Sequence, residues 1–405
     1  MSDQVLWQPT PQRIAESNMT AFEQALTKHI NNKHSSVPMT YQQWHTYSTK
    51  NPAEFWRFYL RYSGLPVARG EDPNVAVLSD APMPEVRWFE GATVNYAEAM
   101  LYPPAAAGKD ISEQTAIMGV HENGAVRRLT YGELRTAVAA CAAALQSAGV
   151  AQGDRVAAVM GNVPEAVILL CACAAIGAVF SSCSPDFGEQ AAVARFGQIQ
   201  PKLLFAQPSY SYHGRRYDIV PMIKKLTACT AGWENTIFIS DGADAENSAL
   251  PKQQQWQHWL QAGAGAPLSL VPLPFDHPLY ILYSSGTTGM PKAIVHRTGG
   301  VMLKHHSEHY LHSDIRPGDY VLYYTTCGWM MWNWLVSVLM QAATIVLYEG
   351  SPAYPSLDIL WQVSARYGIT FLGVSARFIQ SSRVAAESTN ATGVTGNSST
   401  RAGLS

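Results

Sequence analysis

The sequence predicts an α/β layered fold with a largely parallel sheet. From Ala116 onward, short apolar runs of strand length alternate with longer helical patterns, and glycine or proline punctuates the joins. The 405-residue chain is 47% hydrophobic, enough to bury a sizeable core. Its formal charge of −2, from 28 basic and 30 acidic residues, leaves no electrostatic footprint for nucleic acid or an anionic membrane surface. Partners must be sought in local sites.

Residues 1–110 read as an N-terminal helical extension rich in tryptophan. Within it, Asn51-Pro52-Ala53-Glu54 supplies an N-cap, a proline at the first helical position and a glutamate at the third. Pro103 to Lys109 reads as a loop. Residues 111–380 form the main unit. An apolar run from Ala116, the turn Glu122-Asn123-Gly124 and a second run to Leu129 predict a hairpin, and Thr130-Tyr131-Gly132-Glu133 is a capping box opening a helix to about Gly149. A strand at Arg155 to Met160 follows.

The apolar stretch Ala166 to Phe180 is shorter than the ~20 residues of a membrane-spanning helix. With Pro164 and Glu165 opening it and Gly177 stopping it, a buried helix running into a strand fits better. Further strands are predicted at Leu203 to Ala206, Thr236 to Ser240, Leu279 to Ser284, Tyr320 to Thr325 and Thr344 to Tyr348, with a helix at Val301 to Tyr310. Residues 381–405, dominated by Ser, Thr, Ala, Asn and Gly, are expected to be a disordered tail.

Six cysteines lie mostly inside apolar runs with no C-x-x-C pair, so buried reduced thiols are expected. Met1 to Pro9 lacks the basic and apolar regions of a signal peptide, which predicts a cytoplasmic location.

The chemistry concentrates after the strand Tyr280 to Tyr283, in Ser284-Ser285-Gly286-Thr287-Thr288-Gly289-Met290-Pro291-Lys292. Gly286 and Gly289 can adopt positive φ and turn backbone N–H groups inward as an anion nest. Four hydroxyls add donors, and Lys292 adds a charge to neutralise phosphate oxygens as negative charge builds. A Walker A loop needs four residues between its glycines and a lysine directly after the second, so the spacing argues against a P-loop NTPase. Pro291 removes a donor and disfavours helix before it, keeping the loop from merging into a helix.

Tyr283 to Lys292 resembles the phosphate-binding signature of the AMP-forming acyl-CoA synthetases and their adenylate-forming relatives. Arg87-Trp88-Phe89-Glu90-Gly91-Ala92 with Asn95-Tyr96, Leu129 to Leu134, and Gly177 through Gly188 are similar to the acetyl-CoA and acetoacetyl-CoA synthetase branch. Thr325-Thr326-Cys327-Gly328-Trp329-Met330-Met331-Trp332-Asn333-Trp334 resembles the acetoacetyl-CoA synthetase side of that branch, and Gly368 to Ile379 is likewise similar. The resemblance runs from about Trp7 to Gln380.

It implies the large N-terminal domain of the adenylate-forming fold, layered sheets flanked by helices, incomplete and without the small C-terminal domain. The implied activity is ATP-dependent ligation of acetoacetate to CoA through an acyl-adenylate, giving acetoacetyl-CoA, AMP and pyrophosphate. Alternatives are a ligase for another short acid such as acetate or butyrate, or a catalytically incomplete nucleotide-binding fragment. Ser284, Ser285, Gly286, Thr287, Thr288, Gly289 and Lys292 take the phosphate-binding role by resemblance, with Thr287, Thr288 and Lys292 acting on the reacting phosphates. Trp329, Met330 and Met331 take the acyl-pocket positions, while Trp332 and Trp334 read as core. Arg215, in His213-Gly214-Arg215-Arg216, is the implied contact to CoA phosphates. ATP, CoA and Mg²⁺ are the implied cofactors, and small-molecule substrates are the implied partners.

His305, His309 and His312, at spacings of four and three, share one face of a regular helix. Without a cysteine or carboxylate constellation beyond Glu308, they read as a polar helix face and no metal ligand is assigned. The family's second adenine and metal motif, ribose-binding aspartate, hinge and C-terminal lysine have no counterpart here, so a truncated enzyme is expected.

Overall fold

Apolar runs bounded by glycine and proline become the strands of two mostly parallel sheets. The computed structural model describes residues 5, 7–30, 39–69, 72, 75–229, 236–239, 253–284 and 289–392. The larger sheet has the spatial order Gln253–Gln255, Thr236–Phe238, Leu203–Ala206, Arg155–Val159, Val179–Cys183, Pro278–Ser284, Lys292–Arg297. Only its last pair is antiparallel. The second sheet runs Phe371–Gly373, Tyr320–Tyr323, Thr344–Glu349, Thr115–His121, Val126–Thr130, again with only the last pair antiparallel. Its antiparallel pair is the hairpin expected around Asn123-Gly124.

The helix Pro164–Ile176 explains how the sheets come together. It has no polar face, all 13 of its residues are buried, and such a helix is stable only when covered on every side. It touches Val179–Cys183 of one sheet, Thr115–His121 of the other, and the helix Tyr131–Ser147. Pro164 occupies its first turn, and Gly177 ends it with φ of 77°, its N–H donating to Ala174. A Cβ at Gly177 would stand 2.7 Å from Leu273 Cδ2, so glycine is needed for space as well as conformation.

The capping box before Tyr131–Ser147 is present as expected: Glu133 N–H donates to Thr130 Oγ1 at 3.2 Å, and Thr130 N–H donates to Glu133 Oε2 at 2.8 Å. The helix Pro52–Ser63 also starts at its proline, but Asn51 makes no side-chain cap bond and donates instead to Tyr47 O at 3.2 Å. A full capping box stands one helix earlier, at Thr40 and Gln43. In this N-terminal region Phe22 packs edge-on against Phe55, Tyr59 and Tyr62. Asn18 N–H donates to Asp314 Oδ1 at 2.9 Å and Tyr59 Oη lies 2.8 Å from His306 Nδ1, fastening the region to the main body.

One strand goes unpredicted from the sequence, and one stretch differs from the expectation. Lys292–Arg297 is a strand, held at a sheet edge by pairing with Pro278–Ser284 although its own first four residues are exposed. The last helix, Ala376–Thr392, continues past Ser381, where the tail was expected to begin. Alanines at 385 and 386 and an Arg383 to Glu387 pair at 3.5 Å, four residues apart, favour helix there. Residues 393–405 lie outside the described residues.

Leu169 is fully buried in the Pro164–Ile176 helix. Leu169→Ala is expected to lower unfolding free energy by about 2–5 kcal/mol, read as a lower urea midpoint at unchanged slope.

Candidate functional site

In parallel sheets the ligand crevice lies beyond the carboxyl ends of the strands. Here the ends of both sheets converge. From the larger sheet come Met160 to Asn162, Ser184 to Asp186, Gln207 and Ser284, and from the second come Tyr324 to Trp329, Glu349 and Val374.

The phosphate loop joins two antiparallel neighbours, so it is a hairpin loop rather than a turn into a helix. Ser284 and Lys292 are register partners at its mouth. Gly289 has φ of 132° and open space where a Cβ would be, and Met290 is exposed beside it. Ser285, Gly286, Thr287 and Thr288 lie outside the described residues. Behind the loop, Tyr283 Oη donates to Arg195 O at 2.8 Å, and the Arg195 guanidinium lies over the rings of both Phe187 and Tyr283.

Trp329 caps the helix Met330–Val336. Met330 and Met331 line one open groove of about 740 Å³, together with Val295, His296, Trp88 and Trp334. Trp329 is not among its lining residues; the residue is 56% exposed and its ring meets Phe187 edge-on at 6.2 Å. Trp332 and Trp334 are buried, Trp332 completely. Arg215 is exposed on the hairpin Ser209–Tyr212/Arg215–Asp218, across from Tyr212, while Arg216 pairs with Ser211 and so projects from the other face. The buried Glu122 carboxylate docks that hairpin, accepting from His213 N–H at 3.0 Å, Gly214 N–H at 2.9 Å and Ser351 N–H at 2.9 Å.

Across the junction of the two sheets runs a seam that the sequence did not single out. Glu349 Oε2 accepts the backbone N–H of Asn162. Gly161 allows this approach, since a Cβ there would run into the Glu349 carboxyl, and Gly161 N–H donates to Gln207 Oε1 at 2.5 Å. Asn162, only 3% exposed, accepts from Trp332 Nε1 at 2.9 Å and donates to Tyr348 O at 3.4 Å. Ser182 Oγ donates to Cys327 O at 2.6 Å, and Cys327 Sγ donates to Met160 O at 2.7 Å. Burial pushes the Glu349 carboxyl up to about 7; the Asn162 bond opposes this, and the nearby Asp186 and Glu122 carboxyls add to it. Burial likewise raises the Cys183 thiol to about 12 and Cys327 further, so neither is a nucleophile. The one available signal for Asn162 and Glu349 was position, each standing at the end of a parallel strand or just beyond it.

The histidines correct the expected polar face. Glu308–His312 is a π-helical turn, which breaks the regular spacing, and only His312 is exposed. His305, His306 and His309 are buried. His305 Nδ1 and His309 Nε2 lie 2.9 and 2.7 Å from Ser337 Oγ, whose own proton goes to Trp334 O at 2.7 Å. Ser337 Oγ thus bridges the two rings, and these are core histidines. No group of three metal-binding side chains occurs among the described residues. Cys141, Cys171, Cys173, Cys183 and Cys327 are buried and unpaired, as expected. No helix among the described residues is long and apolar enough to cross a membrane.

Comparisons with known proteins place the chain in a family. Residues 105–402 match the family model described as AMP-binding enzyme, and residues 41–100 match that of the acetyl-coenzyme A synthetase N-terminus. The chain is 38% identical over 387 residues to the acetoacetyl-CoA synthetase of Gallus gallus, covering 94% of this chain and 56% of the relative. It is 35% identical over 360 residues to the malonamoyl-CoA synthetase of Penicillium aethiopicum, covering 87% and 48%. Among solved structures, acetoacetyl-CoA synthetase from Streptomyces lividans superposes with a TM-score of 0.84 at 37% identity, over 95% of this chain and 57% of that one. The chain thus spans about half the length of these relatives.

Burial holds His305 down to about 3, His306 down to about 4 and His309 well below the usual 6.5. Below pH 6.5 the unfolded chain takes up protons that the folded chain refuses, so stability present above pH 6.5 is lost as pH falls toward 4. Glu349 runs the other way between pH 7 and 4.5, as do Glu23 and Glu98, whose carboxyls burial raises, while His296, which burial holds down, adds to the three core histidines. The net expectation is a urea midpoint that drops between pH 6.5 and 4, and a flat midpoint over that range would contradict neutral core histidines.

Proposed function

The chain belongs to the AMP-binding enzyme family, and from that premise we propose that it carries the phosphate-gripping and acyl-binding half of an ATP-dependent acid–CoA ligase for acetoacetate. The supporting observation is the adjacency of two features: the phosphate-loop hairpin, with Ser284 opposite Lys292, and the groove walled by Met330, Met331 and Val295. In the proposed reaction the carboxylate attacks the α-phosphate of ATP, pyrophosphate leaves, and the CoA thiol then displaces AMP to form the thioester. A carboxylate oxygen is a poor leaving group, and adenylation makes it a good one.

Lys292 and the loop donors Ser284 to Gly289 would hold the β- and γ-phosphates as charge develops on the departing pyrophosphate. Mg²⁺ would enter with the nucleotide, shielding the same oxygens, and no residue is assigned to it. Arg215, exposed on its hairpin, is the proposed contact to CoA phosphate. Trp329, Met330 and Met331 would face the acyl chain. The acids in the relatives' names, acetoacetate and malonamate, are both short with a carbonyl at carbon 3, which supports a 3-oxo acid over acetate or butyrate. Five unpaired cysteines fit a cytoplasmic setting.

A second reading, a nucleotide-binding fragment without turnover, is favoured by the exposure of Ile294, Val295, Trp329 and Met330. Exchange of labelled pyrophosphate into ATP separates the two. The ligase reading expects acetoacetate-dependent exchange that falls about 100-fold in Lys292→Ala. ATP binding with no exchange above that variant supports the fragment reading.

A further inference from the structure

We infer that Glu349 is a positioning residue for the acyl-pocket wall, acting through Asn162 and Trp332 on the helix that carries Met330 and Met331. This rests on the acyl-pocket role proposed above for those methionines. The physical connection is a two-step hydrogen-bonded link across the junction of the two sheets. Glu349, at the end of a strand in one sheet, accepts the backbone N–H of Asn162, which follows a strand in the other. Asn162 then accepts the indole N–H of Trp332 at 2.9 Å.

Trp332 is the third residue of the helix Met330–Val336 and is fully buried. Fixing its indole therefore sets the rotation of the helix's first turn, and with it the direction of Met330 and Met331, which stand half open in the groove. The methionines cannot fix themselves. Each has a flexible, unbranched side chain with few neighbours on its open side, so the precision of the wall must come from behind.

Two features favour this role over incidental core polarity. Gly161 leaves room for the carboxyl where a Cβ would collide with it, so backbone and side chain are fitted to each other. Glu349 also makes no ion pair of 4 Å or less among the described residues, and the bond found for its carboxyl is to Asn162. Either protonation state can make that bond, because a neutral carboxyl keeps a carbonyl oxygen as acceptor. An amide in its place retains the same oxygen.

The test uses the whole chain labelled with ¹³C at its 13 methionine methyl groups, with the Met330 and Met331 signals assigned by Met330→Leu and Met331→Leu. Glu349→Ala removes the first link. Asn162→Ala removes the second while leaving the carboxyl its backbone partner, and serves if the first variant fails to fold. Both are expected to shift the Met330 and Met331 signals and to leave Met19 and Met222, on other helices, in place; Glu349→Gln is expected to restore the wild-type spectrum.

Acetoacetate affinity, measured by titration calorimetry, is expected to weaken roughly tenfold in the alanine variants with ATP affinity unchanged. Unmoved Met330 and Met331 signals in both alanine variants, or equal movement of all the methionines, would overturn the inference. If the wild-type chain takes up no acetoacetate but the two signals still respond and are rescued by Glu349→Gln, the acid-binding reading fails and the positioning link stands.

Discussion

A helix with no polar face sets the architecture. Pro164–Ile176 cannot lie on a surface, and one sheet covers only one side of it, so it demands a second layer. Meeting that demand puts the Arg155–Val159 and Thr344–Glu349 strands on opposite sides of a single junction, with their carboxyl ends directed to the same place. The crevice follows from the burial of that helix. Its polar lining is then forced, because backbone groups at strand ends have no ladder partners and still need hydrogen bonds when buried.

The junction meets that need with side chains, both within the larger sheet and across to the second. Glu349 takes the Asn162 N–H, Gln207 takes the Gly161 N–H, and Ser182 donates to the Cys327 carbonyl. Glu122 does the same work at the edge, holding two N–H groups of the Arg215 hairpin and one from Ser351. Leaving one such buried donor without a partner costs about 1–3 kcal/mol, more than a typical paired bond contributes. These carboxyls therefore matter less as charges than as acceptors placed where the backbone runs out.

What could be read from the sequence was whatever local chemistry decides. Pro164 and Gly177 mark a helix start and stop that no tertiary contact could move, and Thr130 with Glu133 closes its capping box within four residues. Asn51 looked equally decisive, yet its side chain bonds backward to Tyr47 because the preceding helix ends on it. The strand Lys292–Arg297 was missed because edge pairing, not alternation, makes it a strand. The histidines were misread for a related reason: a π-helical turn and burial against Tyr59 and Ser337 are properties of the neighbours, which spacing alone does not carry. Asn162 and Glu349 stand 187 residues apart, and only the meeting of two sheets relates them.

The same division holds within the site. The proposed phosphate loop is legible in the sequence because binding a polyphosphate needs many small donors close together, and Ser284 through Lys292 supply them in one run. An acyl pocket needs only shape, and Met330 and Met331 would suit many interiors. What would make them the proposed wall is the backing behind them: an indole with no exposure, an amide that holds it, and a carboxyl that holds the amide's backbone. An apolar residue at 349 would pack the junction as densely and still leave the Asn162 N–H buried without a partner. A side chain that reaches across and accepts is the one that fixes both sheets to the helix in front of them.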